Sequence, residues 1–82
     1  MKAILKRLEA AIAKANAADE AWEKEPANAT LEAEFDAAYK TEYEIRRELV
    51  GAITKMVNEI DFQTAFKMTY NPKITDLIKR MA

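Results

Sequence analysis

The chain has 82 residues, a formal net charge of −1 and neither Cys nor His, which leaves room for one domain and excludes disulfides and a Cys/His zinc site. It also lacks Ser, so the usual nucleophiles and the usual general base are missing. Sixteen Ala against one Gly and two Pro point to helix rather than to sheet or disorder.

The first helix is expected over residues 2–24. Leu5, Leu8, Ile12, Ala15, Asp19 and Trp22 follow one another at steps of three and four and form a single stripe, which Ile4 and Ala11 widen. Residues 10–21 are so rich in alanine that a neighbouring helix can approach closely. Pro26 disfavours helical geometry at Glu25, which puts the end near Lys24. Asn28 or Thr30 can cap the second helix, expected over 29–60, with Glu32, Glu34 and Asp36 well set against its N-terminal dipole. Its stripe is Leu31, Phe35, Ala38, Glu42, Ile45, Leu49, Ala52 and Met56.

A loop of a few residues makes the two helices antiparallel neighbours. Trp22 then falls near Leu31, Ala15 near Ala38, Leu8 near Ile45 and Leu5 near Leu49, so that large residues meet large and small meet small. Gly51 reads as a tolerated, exposed helical position. Asp61 can cap a third helix over 62–69, with Phe62, Ala65 and Phe66 on one side. Asn71-Pro72 opens a fourth over 72–81, carrying Ile74, Leu77, Ile78 and Met81 on one face. The whole, 1–82, is expected to be one all-α domain: a long antiparallel helical hairpin with two short C-terminal helices packed on its base.

Between Ile45 and Ile60 the second helix is apolar around half its circumference, more than one partner helix covers. Val50, Ile53 and Val57 therefore need a second cover, for which the C-terminal helices offer Phe62, Phe66, Leu77 and Ile78. This gathers a body from residues 1–12, 45–60 and the C-terminal helices, and leaves residues 13–44 as a projecting two-helix arm. Charge follows the same division. Residues 1–18 carry four basic and one acidic side chain, a net of +3, while residues 19–48 carry four basic and ten acidic, a net of −6.

Two groups of residues are candidates for a binding role. Glu20, Glu23, Glu32 and Asp36 belong to the acidic arm tip, which suits a basic groove, including one that normally holds nucleic acid. The plainer account of these acids is a solvated helix end complementing a dipole. Trp22, Tyr39 and Tyr43 belong to an aromatic group, with Arg46 or Arg47 at the same helical steps; Trp, Tyr and Arg are enriched in binding hot spots. The plainer account has Trp22 and Phe35 closing the hairpin tip and the tyrosines covering the edge of the core.

The leading expectation is a non-catalytic module that binds a protein partner or a second copy of itself, with homodimerisation one form of it. The alternative is an inhibitor whose acidic arm mimics nucleic acid, of the kind small phage or mobile-element proteins supply, as anti-CRISPR proteins do. The C-terminal helix–turn–helix, with Lys67, Lys73, Lys79 and Arg80, invites a DNA-binding reading, but the slightly acidic chain argues against direct nucleic-acid contact. An enzyme reading comes last: the first helix offers Arg7 as its one arginine, followed by Lys14 and Lys24, without the regularly placed arginines of small all-helical chorismate mutases. No cofactor, metal or membrane is called for, and the cytoplasm is the expected location.

Overall fold

A computed structural model describes residues 2–57 and 59–81, the side chains of Ile78 and Met81 excepted. Expectations that fall on Met1, Asn58 and those two side chains lie outside the described residues. Four helices occupy 86 % of the described residues, and none of these residues is in a strand. They are α1 (Lys2–Lys24), α2 (Ala29–Met56), α3 (Phe62–Met68) and α4 (Pro72–Met81). The molecule is elongated, 46 × 23 × 17 Å.

The sequence's capping chemistry accounts for most of the boundaries. Asn28 takes an extended conformation and its side-chain oxygen accepts from the backbone N–H groups of Thr30 and Leu31, satisfying two of the donors a helix start leaves open. Asp61 does the same for Thr64 at 2.7 Å, and Asn71 for Lys73 at 3.0 Å. The Asp61 carboxyl is held below its ordinary pKa by that backbone hydrogen bond first and by a second from the Thr64 side chain.

The end of α2 differs from expectation. The helix stops at Met56 rather than at Ile60, with Val57 extended while its N–H still donates to Ile53. Glu59 then adopts a left-handed conformation, φ 69°, which reverses the chain toward α3. Neither Gly nor Pro marks this break. The apolar rhythm through Val57 and Ile60 is instead shared between the last turn and the connection.

The core lies in the body. Leu5, Leu8 and Ala11 of α1 meet Ile45, Leu49, Val50 and Ile53 of α2, with Ala65 of α3 closing the group. Leu49 and Ala65 are wholly inaccessible. Full burial of a leucine side chain contributes about 1.5–3 kcal/mol. Ile4, Ile12, Ile60, Phe66, Met68 and Ile74 pack around the margin. The expected cover for α2 is therefore right in position but differs in its residues. Ala65 is the wholly buried residue that α3 presses against α2, and of the expected phenylalanines Phe66 packs against the core while Phe62 does not. Phe62 and Leu77 are half exposed, and so are Met56 and Val57. A seven-residue helix brings few side chains inward, and the small Ala65 lets its backbone come close.

The arm is built differently. Its buried apolar residues are Ala15 and Ala38, which join nothing in the body's core. The antiparallel register is visible in side-chain contacts at both ends: Arg7 pairs with Glu48 at 2.9 Å, and Trp22 stacks on Phe35 with ring centroids 5.5 Å apart. Near the tip, then, Trp22 stacks on Phe35, one turn beyond the Leu31 that the pairing suggested. On the far side of the body, α4 is tied to α1 by Lys79 and Glu9 at 2.6 Å, and this hydrogen bond and the Glu9 charge raise the Lys79 pKa above its ordinary value.

Candidate functional site

Helical spacing puts Phe35, Tyr39 and Tyr43 of α2 in successive turns of one side. Phe35 lies 4.7 Å from Tyr39, centroid to centroid, and continues across the hairpin to Trp22. Tyr43 lies 5.5 Å from Phe66 of α3, which in turn touches Phe62 at 5.8 Å and Tyr70 at 5.5 Å. These are separations at which aromatic rings attract one another beyond simple burial. The chain has seven aromatic residues, one Trp, three Tyr and three Phe, and every one belongs to one of these two groups, Trp22–Phe35–Tyr39 and Tyr43–Phe66–Phe62–Tyr70, which follow one another one helical turn apart on α2 and together make an aromatic band. It runs from the arm tip, along α2, onto α3 and its following turn.

The outer members of the band are open: Tyr39 is 51 % exposed, Tyr43 47 %, Phe62 50 % and Tyr70 56 %. Trp22 and Phe35 are partly buried and close the tip, and the Trp22 indole N–H is buried without a hydrogen-bond partner among the described residues. That donor is a local cost rather than a handle for a ligand, since nothing can reach it.

Of the two arginines expected as alternatives beside the tyrosines, Arg46 is not on the open face. It is buried, 4 % exposed, between the band and the core. Its Nε donates to Glu42 at 3.1 Å, its Nη1 donates to the Thr69 carbonyl at 2.6 Å, and its guanidinium lies 3.7 Å from the Tyr70 ring centroid. Planar, permanently charged and five-donored, arginine can make all three contacts at once; lysine cannot. The sequence carried a signal for this: Glu42 sits in the buried stripe, and Arg46 one turn later is the partner its charge requires. Arg47, by contrast, is exposed and lies 5.9 Å from the Tyr43 ring.

The acids expected at the arm tip are all on the surface. Among the described residues, none of Glu20, Glu23, Glu25, Glu32, Glu34 and Asp36 has an ion-pair partner. No three acidic groups among the described residues are placed to hold a metal ion. The arm as a whole, residues 13–44, carries three basic and nine acidic side chains, a net of −6, against +5 for the remainder of the chain.

Comparison with protein families, curated proteins and solved structures finds no match.

A cleft of about 180 Å³ lies beside the band, floored by Leu5, Leu8 and Ile12 and walled by Arg46, Tyr70 and Lys79. Of its charged groups, Arg46 is engaged with Glu42 and Lys79 with Glu9, and Asp76 lies beside them. No helix among the described residues is long and apolar enough to cross a membrane. Of the cations on the C-terminal helices, Lys67, Lys73 and Arg80 are exposed while Lys79 is tied to α1.

Proposed function

We propose that this chain is a non-catalytic protein-interaction module that docks one helical face on a partner through its aromatic band. The observation that carries the reading is that the aromatic side chains fall into two packed groups, one ending at Tyr39 and one starting at Tyr43, which follow one another along one side of α2 and whose outer rings stand half exposed. A small domain is short of apolar burial, and one that leaves its largest side chains on the surface forgoes what it could have gained. A partner that covers the rings restores that burial. Tyrosine is suited to the task because its ring is rigid and its hydroxyl keeps the free surface wettable. Without Ser, Cys or His, this reading assigns the protein no chemistry of its own, no cofactor and a cytoplasmic setting.

A second reading draws on the arm tip. Its exposed carboxylates have no ion-pair partner among the described residues and crowd one end of a 46 Å molecule, a form suited to filling a basic groove that otherwise holds nucleic acid.

Affinity capture from extract of the native source separates the two. The wild-type chain is compared with a Tyr39→Ala/Tyr43→Ala/Phe62→Ala variant and a Glu32→Gln/Asp36→Asn variant, each checked for helicity by circular dichroism. The first reading expects the aromatic variant to lose its partner. Loss confined to the acid-to-amide variant selects the second. Equal retention by all three folded baits contradicts both.

A further inference from the structure

Along α2, Glu32, Asp36, Tyr39, Tyr43 and Arg47 follow one another at steps of four, three, four and four, which makes them one exposed stripe. Read from tip to body it runs acid, acid, ring, ring, cation. Such an order is self-complementary when reversed. A two-fold axis crossing α2 between the tyrosines sets Tyr39 of one copy against Tyr43 of the other, and Asp36 against Arg47. The same operation lays the arm, net −6, along the other copy's body, net +5. It also brings the arm tip beside α3, where Lys67 is exposed and Phe62 half exposed.

From this we infer that the partner is a second copy of the same chain, joined in an antiparallel dimer about the Tyr39–Tyr43 segment; the inference rests on the aromatic band being the docking face. The interface is isologous, so each contact is made twice. Charge does two things in it. It favours the antiparallel arrangement over the parallel one, which would set arm against arm. It also makes association salt-dependent, because the charges involved are exposed and screened over roughly 8–10 Å in ordinary buffers. The rings supply the apolar area that ion pairs at a surface do not.

The test is sedimentation equilibrium on the full chain, from roughly micromolar to millimolar protein, at about 50 mM and about 500 mM salt. The dimer is expected at low salt and should dissociate about tenfold more readily at high salt. Tyr43→Ala should weaken it by about tenfold or more, and Asp36→Arg or Arg47→Asp alone should do the same. The double exchange Asp36→Arg/Arg47→Asp should restore association, a rescue that damage to the fold would not produce. A dimer indifferent to all of these substitutions overturns the placement. A strict monomer at low salt overturns the inference itself without touching the interaction reading. In that case, capture of a foreign protein that the ring variant loses keeps the reading, and its absence ends it.

Discussion

The body and the arm are made from the same two helices yet are held together by different means. In the body, leucine, isoleucine and valine from α1 and α2 interlock beneath α3, and Leu49 is wholly inaccessible. In the arm, the buried apolar residues are two alanines, and the tip is closed by Trp22 stacked on Phe35. Alanine allows close approach but removes little apolar area from water, so helix pairs of this kind have little to offset their conformational entropy. The difference teaches where stability resides and where the proposed docking face lies. The body holds the apolar core; the arm carries exposed rings and carboxylates that have no ion-pair partner among the described residues.

The joint between the two regions should be the most sensitive point. Arg46→Ala leaves the Glu42 carboxylate buried without its cation and the Thr69 carbonyl without a donor. Its expected cost is about 3–5 kcal/mol in chemical denaturation. Replacing both members, Glu42→Leu with Arg46→Met, should recover most of that loss, because no buried charge is then stranded. A single-variant cost below about half a kcal/mol would mean that the joint is not built around this pair.

The body comes next. Leu49→Ala should cost about 2–5 kcal/mol, as should Leu8→Ala and Ile53→Ala. Ala38→Gly in the arm should cost only about 0.5–1 kcal/mol, chiefly through backbone entropy. Equal losses in the two regions would erase the distinction between them.

Smaller effects sharpen the outline of the body. A Cβ added at Gly51 meets nothing within 4 Å and the backbone there is helical, so Gly51→Ala should stabilise by about 0.5–1 kcal/mol. Destabilisation would contradict an open helical site. The left-handed Glu59 should likewise accept glycine, with a gain on the order of 1 kcal/mol. The Asp61 cap adds a pH dependence. Its folded pKa is depressed, so its contribution is present above the unfolded value and is lost as pH falls through the folded one. Acid titration of stability should therefore flatten on the low-pH side in Asp61→Asn, which keeps a capping oxygen without the titrating proton. An unchanged acid limb would deny the carboxylate that role.

Much of this architecture was legible because the physics that fixes it is local. Asn28, Asp61 and Asn71 are capping residues placed just before apolar periodic runs, and Pro26 enforces the first break. The three–four stripes of α1 and α2 located the core at Leu5, Leu8, Ile45 and Leu49, whereas the last member of the α2 stripe, Met56, is half exposed and the buried Ile53 belongs to the wider apolar face beside it. What periodicity could not convey was the termination of α2, since Val57 and Ile60 keep the apolar rhythm across a turn that a left-handed Glu59 creates. Nor could it say which residues of a short helix face inward: Ala65 does, and Phe62 does not. The candidate surface was half visible. Tyr39 and Tyr43 stood out on α2, whereas their continuation through Phe66 to Phe62 and Tyr70 depends on how α3 docks, a tertiary matter. Arg46 and Arg47 stood as alternatives beside the tyrosines; Arg47 is the exposed one, and Glu42 in the buried stripe one turn before Arg46 is the signal that could have decided it.

Hydrogen exchange resolved along the chain, at dilute and at concentrated protein, tests the central claim most directly. The account predicts that amides of residues 13–44 exchange much faster than those around Leu8, Leu49 and Ile53 at low concentration, and that arm amides on both sides of Tyr39 and Tyr43 become protected as concentration rises. Arm amides as slow as the body's in the dilute protein, unchanged on concentration, would contradict it: the hairpin would then be stable to its tip without a partner.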